Sequence, residues 1–360
     1  MKRFFYSSLF LFLPVFVSAT HVIGGELTYQ CMGGNVYKLR VALWIDCPGV
    51  TPGSVSVRAC SNSCNVSTSY NLPQILGTCQ PSFPMCSYPN SACISGPDIG
   101  VLKCEYETTV TLTSCTDWIF YTTYCCRSAA ATNVINPLAS GMAVVATLDN
   151  VNGPCNTSPT FFNEPIAFAC CNQGNIYNQI TGEPDGDSLV YSLYNPLDDN
   201  ANGCTTTPAV PLVYANPFTY LQFLTTLTPI TLNPANGDIF IHPINCNEGS
   251  VIGVKVSEYR NGNLVGTIMR DIIVRETTML TGNVENEQDD FSITFDQASQ
   301  VVSVRGDKQP DLLWLYDVSG RELRVLNNTK QTNVSGFNPG IYFVLIESGG
   351  SRYSYKILKN

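Results

Sequence analysis

The last 114 residues of the chain, 247–360, contain no cysteine, although the 246 residues before them hold all 16. Histidine is nearly absent too, at His21 and His242 alone. A Ser–His–Asp site would have to be built on one of these two. His21 stands at an expected new N-terminus, and "FIHP" around His242 ends like a strand, so both read as structural. No G-x-S-x-G elbow, H-E-x-x-H helix or Gly-rich phosphate loop occurs, which removes the hydrolases, zinc proteases and nucleotide enzymes that carry those signatures. Paired carboxylates for glycoside cleavage follow no local spacing rule, so that class stays open.

Charge is sparse, at 13% of residues. Residues 20–290 hold 9 Lys and Arg against 22 Asp and Glu, a net −13, while 291–360 carry +2. A body of that sign repels phosphate backbones, and no nucleic-acid partner is expected. Beyond the N-terminus no apolar run approaches the roughly 18 residues a membrane helix needs, so no transmembrane anchor is expected.

The chain starts "MKRFFYSSLFLFLPVFVSA". Lys2 and Arg3, a short apolar run and small residues make 1–19 a secretory signal peptide, with cleavage expected after Ala19. Export makes the even number of cysteines legible as disulfides. The candidates are Cys31, Cys47, Cys60, Cys64, Cys79, Cys86, Cys93, Cys104, Cys115, Cys125, Cys126, Cys155, Cys170, Cys171, Cys204 and Cys246. Connectivity cannot be read from spacing. Adjacent cysteines rarely meet disulfide geometry, so Cys125–Cys126 and Cys170–Cys171 are each expected to reach two separate partners. A metal cluster is disfavoured, because paired C-x-x-C knuckles are missing.

Alternation of period two runs along the chain, and no long helical period competes with it. In "NVYKLRVALWID", Tyr37, Leu39, Val41, Leu43 and Ile45 share one face, and the turn "GGN" joins this strand to "ELTYQC" as a hairpin. Residues from Cys47 to about Gly100 read as mostly loop. Asn236–Gly237 and Asn261–Gly262 are hairpin turns of the kind that accepts positive φ. The expected fold is all-β: tandem immunoglobulin- or cadherin-like sandwiches, disulfide-rich, with a small C-terminal β-sandwich. The boundaries read as 20–152 for a disulfide-rich β-domain, 153–278 for a sandwich, 279–290 for an acidic linker and 291–360 for the last domain.

In "GEPDGDSLVYSL", Glu183, Asp185 and Asp187 alternate around Gly186. Carboxylates that close repel one another unless a cation lies among them, and hard oxygen ligands suit Ca²⁺. A solvated acidic turn is the competing reading. The segment is similar to the D-x-D-G-D-x-L-x-Y run of cadherin-like repeats, and that analogy brings in Asn163, Glu164 and Asp271 as distant ligands. "NPLDDNANGC" supplies a second oxygen-rich cluster at Asp198, Asp199, Asn200 and Asn202, where turn formation is the simpler account. The tryptophans Trp44, Trp118 and Trp314 fall within strand patterns and read as core.

"LYDVSGREL" and "FNPGIYFVLIESGGSRYSYKILKN" resemble the type A C-terminal sorting domain of the type IX secretion system. The matching residues are Tyr316, Asp317, Gly320, Arg321, Gly340, Tyr342, Lys356 and Lys359, with Phe337 where leucine is commoner. The resemblance implies folding in the periplasm, recognition by the type IX translocon and sorting machinery, and removal of the domain. A segment that must part from its cargo is favoured by carrying no cross-link to it, which accounts for the missing cysteines. The body, through "THVIGGELTYQCMGGNVYKLRVALWIDC" and "DWIFYTTYCCRSAAATNVINP", resembles Bacteroidetes surface proteins of gliding-motility or adhesin type.

The expectation is a secreted or cell-surface adhesion protein, not an enzyme, stiffened by calcium and binding a surface glycan or protein. A secreted hydrolase and a structural subunit of a surface filament or coat are the alternatives.

Overall fold

The computed structural model describes residues 21–47, 49–82, 93, 100–165, 168–179, 181–199, 210–277, 291–306, 308–317, 322–349 and 351–359. The expected signal peptide and linker lie outside the described residues. Two compact units divide the chain, 1–279 and 280–360.

In the first unit, β1 (Val22–Gly33) and β2 (Val36–Asp46) form the expected hairpin, with Leu27 opposite Val41. Gly33 and Gly34 make its turn at φ of 113° and 58°, where a side chain would be strained. Tyr37, Leu39, Val41, Leu43 and Ile45 are fully buried, as the alternation requires. Next come β3 (Ser54–Ser61), β4 (Val66–Pro73) and β5 (Gln80–Ser82), inside the stretch read as mostly loop. Val55, Val57 and Ala59 do point into the core, with Ser56 and Arg58 alternating between them, so the period of two is present there over a short run.

Following them are β6 (Val101–Thr111), β7 (Trp118–Tyr124) and β8 (Met142–Leu148). Short strands come after these: β9 (Thr160–Phe161), β10 (Phe168–Cys170), β11 (Asn175–Tyr177), β12 (Thr181–Gly182) and β13 (Ser188–Leu193). Then β14 (Thr231–Leu232) and β15 (Ile239–Ile241) turn at Gly237, and β16 (Gly249–Arg260) and β17 (Asn263–Thr277) turn at Asn261–Gly262. Both Asn-Gly hairpins are where the sequence puts them.

The main sheet runs β4-β3-β7-β8-β17-β1-β2-β6-β5, with β16 and then β13 added on the free side of β17 and β10 pairing it in parallel. It curls until Gln74, just past β4, bridges Tyr106 of β6. Leu39 and Val41 of β2 therefore share one core with Val57 of β3, Phe120 of β7 and Val144 of β8. A second core gathers Trp44, Phe223, Ile239, Ile252, Val254 and Ile272. The boundary expected near residue 152 falls inside this unit. Its cause is β17, which hydrogen-bonds β16 along one edge and β8, β1 and β10 in turn along the other, so early and late strands make one sheet.

Disulfides join Cys31–Cys155, Cys47–Cys93, Cys64–Cys115, Cys79–Cys104 and Cys171–Cys246. Cys60 is bridged as well, and no described cysteine is free. One expectation is overturned: Cys125 and Cys126 pair with each other. The peptide between them is cis, with the two Cα atoms 3.0 Å apart, which sets the sulfurs side by side. Cys86, Cys204 and the side chain of Cys170 lie outside the described residues.

Among the described residues the second unit has seven strands: β18 (Ser292–Asp296), β19 (Val301–Arg305), β20 (Leu312–Asp317), β21 (Glu322–Asn327), β22 (Gln331–Asn333), β23 (Gly340–Ser348) and β24 (Ser351–Lys359). They form two sheets, β18-β19-β22 and β21-β20-β23-β24. Phe291, Val302 and Val304 pack with Leu313, Leu315, Val344 and Ile346 between the sheets. This is a small sandwich held by apolar burial without cross-links.

Candidate cation site and ligand groove

Glu183, Asp185 and Asp187 sit on the turn between β12 and β13. Gly186 at φ 82° bends the chain there, and its missing Cβ has open space around it. The amides of Asp185 and Asp187 donate to the two carboxylate oxygens of Glu183, at 2.9 and 2.6 Å. That curl gathers all three acids on one side. The amide of Thr157 adds a bond to Asp185 Oδ2 at 2.7 Å. Thr157 is fixed in turn by the Cys31–Cys155 bridge and by its own hydroxyl, which accepts the amide of Cys31.

A fourth carboxylate arrives from β16. In the β13–β16 ladder Leu189 lies opposite Glu258, and the Glu258 side chain is fully buried. One oxygen from each of Glu183, Asp185, Asp187 and Glu258 lies within 4.8 Å of the other three. Asn156 Nδ2 donates to Glu258 Oε2 at 2.6 Å, but the other oxygen, Oε1, is buried without a hydrogen-bond partner. Burial pushes the Glu258 carboxyl up to about 8, against the Asn156 hydrogen bond, with Glu183 and Asp187 adding to the rise.

Arg260 closes the far side. Its Nε and Nη2 take the two oxygens of Asp187 at 2.9 and 2.7 Å, and Nη2 also donates to Asn156 Oδ1 at 2.7 Å. One guanidinium against four carboxyl groups leaves the cluster with an excess of acids.

The distant ligands suggested by analogy are elsewhere. Asp271 is fully buried in a two-bond pair with Arg127, at 2.8 and 2.7 Å. Glu164 pairs with Lys103 at 2.8 Å, and Asn163 bonds Asn178 at 3.1 Å. Asp198 accepts the amide of its neighbour Asp199 and, from 57 residues away, the amide of Gly141, while Asn200 and Asn202 lie outside the described residues. His21 sits 3.5 Å from Asp46. Glu258, Arg260 and Asn156 were missed. The available signal was Glu258 itself, an acid in phase with Ile252, Val254 and Val256 on an inward-facing strand.

Beside this cluster, a groove of about 540 Å³ crosses the face of β1 and β2, lined among others by Thr28, Lys38, Arg40, Phe162 and Glu183. It continues into a cleft of about 160 Å³ with Glu26, Trp44 and Arg270 in its lining. The walls are ion-paired: Lys38 to Glu107 at 3.5 Å, Arg40 to Glu105 at 2.5 Å, Arg270 to Glu26. The rim is a flap of β9 and β12 held to β1 by Ser158, whose amide and hydroxyl both donate to the carbonyl of Tyr29. Phe162 rides on this flap, 68% exposed, against the backbone of Gly182, where a Cβ would come within 2.6 Å of the ring.

In the second unit the residues matched to the sorting motif converge at one end of the four-stranded sheet. Asp317 is opposite Tyr342, and Gly340 is opposite Lys359. Tyr342 donates its hydroxyl to Asn338 O at 2.5 Å and packs on Phe337, whose ring centroid is 5.8 Å away. Phe337 thus fills the apolar position where leucine is commoner. Lys356 pairs with Phe343 through the backbone, and Gly320 and Arg321 lie outside the described residues.

Three comparisons bear on these observations. The chain is similar to the CD2-binding domain of CD58 at 10% identity, over 54% of this chain and 95% of that one, with a TM-score of 0.16. It is similar to an I-band fragment of titin at 9% identity, over 94% and 97%, with a TM-score of 0.19. Scores that low carry no relationship, and the all-β architecture rests on its own strand pairing. No curated protein matches the chain. Residues 287–360 match the family described as secretion system C-terminal sorting domain, the domain of type IX export, and the protein is accordingly one sent to the cell surface or secreted.

Proposed function

We propose that the protein is a non-enzymatic binding protein, adhesive in role, which the type IX machinery delivers to act outside the cell. The groove on β1 and β2 carries this reading. Its charged walls are already paired with one another, so it presents fixed hydrogen-bonding groups and one exposed aromatic ring, Phe162, without a large net charge. A lining of that kind suits a hydroxyl-rich glycan or a polar protein segment. Disulfides on both sides of the groove, Cys31–Cys155 and Cys79–Cys104, hold its walls before a ligand arrives, which lowers the ordering cost of contact.

The test is binding of the purified protein to arrayed glycans and surface proteins. Phe162→Ala is expected to weaken binding roughly tenfold, the loss of one stacked ring, and to leave the unfolding temperature unchanged. Turnover of pooled glycans or casein, abolished by substituting one carboxylate, would replace this reading with a hydrolase.

A further inference from the structure

We infer that Glu183, Asp185, Asp187 and Glu258 bind one divalent cation of calcium's size, with the buried Glu258 Oε1 as its innermost ligand.

Oxygens about 2.3–2.6 Å from a Ca²⁺ ion lie at most about 5 Å apart across it, whereas Mg²⁺, at about 2.0–2.1 Å, draws its ligands to within about 4 Å. The four carboxylates supply one oxygen each inside an envelope of 4.8 Å. That bound is the span of a calcium shell.

Glu258 also carries an orphaned acceptor. Glu258 is fully buried, its Oε2 is taken by Asn156, and its Oε1 has no partner. A buried carboxylate oxygen left bare is costly, and a cation among the four acids satisfies it. Arg260 does not do so, because its bonds go to Asp187, Asp185 and Asn156.

Glu258 lies opposite Gly266, and a Cβ there would come within 2.7 Å of Glu258 Oε2. The strand pair leaves a hole of the shape the side chain needs. Across it, Gly186 and the Glu183 hydrogen bonds fix the turn that carries the other three acids.

Occupancy would tie β16 to the β12–β13 turn. The inference is independent of the groove reading, since cation binding is measured without any other ligand. The experiment is calorimetric titration of the full-length protein with CaCl₂ and MgCl₂, beside thermal unfolding in EDTA or calcium. Expected results are one calcium per chain, weaker magnesium binding, an unfolding temperature several degrees higher in calcium, and loss of roughly tenfold or more in calcium affinity in Glu258→Gln. The partly exposed Asp185→Asn is the second variant and should show the same loss while folding normally. No calcium heat and no thermal shift at millimolar calcium would overturn the inference. So would calcium binding that neither variant alters, which would leave a proton shared between Glu183 and Glu258 as the resident of the cluster.

Discussion

Glu258 and Gly266 face each other across the β16–β17 ladder, and a methyl group on Gly266 would stand 2.3 Å from Tyr29 Oη as well as 2.7 Å from Glu258 Oε2. Both neighbours are buried, so neither can swing into solvent. Gly266→Ala is expected to destabilise the first unit by about 1–3 kcal/mol through overpacking. Urea unfolding in EDTA, where no cation contributes, is the measurement. A change under half a kcal/mol would mean the strands part easily at this point.

The stability of the cation-free protein should depend on pH through Glu258. Its carboxyl is held up near 8 by burial, against an ordinary 4.5. Between those values the folded protein keeps a proton that the unfolded chain has released. The contribution is therefore complete below pH 4.5 and is lost as pH rises through 8, with a slope of at most about 1.4 kcal/mol per pH unit. Unfolding free energy in EDTA is expected to fall between pH 5.5 and 8, and Glu258→Gln, which does not titrate, should flatten that slope.

Arg127 and Asp271 form the best-enclosed ion pair among the described residues, both with no exposed side-chain surface. Asp271→Ala leaves a guanidinium buried without its counter-charge and should cost about 3–5 kcal/mol. Replacing both residues with apolar ones should recover much of that loss. A double-mutant cycle by urea unfolding decides it, with equal single and double penalties counting against the pair.

Deleting residues 287–360 removes the matched sorting domain. The first unit has its own cores and disulfides, so the truncated protein is expected to fold, oxidise and remain in the periplasm. Fractionation with an antibody to the body checks this, and surface display of the truncated form would contradict it.

Sequence alone made the β-class, the first hairpin and both Asn-Gly turns legible, because period-two burial and positive-φ turns are local properties. The acids of the candidate site were half legible for the same reason. Glu183, Asp185 and Asp187 are neighbours in sequence, while Glu258, Asn156 and Arg260 reach them only through the β13–β16 register and the Cys31–Cys155 bridge. Asp271 looked like a ligand and is a salt-bridge partner, a distinction that depends on Arg127, 144 residues away. The division at residue 152 failed on the same ground. Strand order in a sheet is a long-range property, and nothing in "RDIIVRE" announces that it will lie against "VIGGEL".

That adjacency has a consequence for folding. The middle of one edge of β1, Gly24–Glu26, pairs with β17, some 240 residues later in the chain. Without β17 these three residues of β1 have no strand partner on that side, and the link from β1 to β8 and β16 through β17 is missing. A fragment that ends before β17 is therefore expected to keep the main sheet open, even though the bridges Cys47–Cys93, Cys64–Cys115 and Cys79–Cys104 have both their cysteines in it.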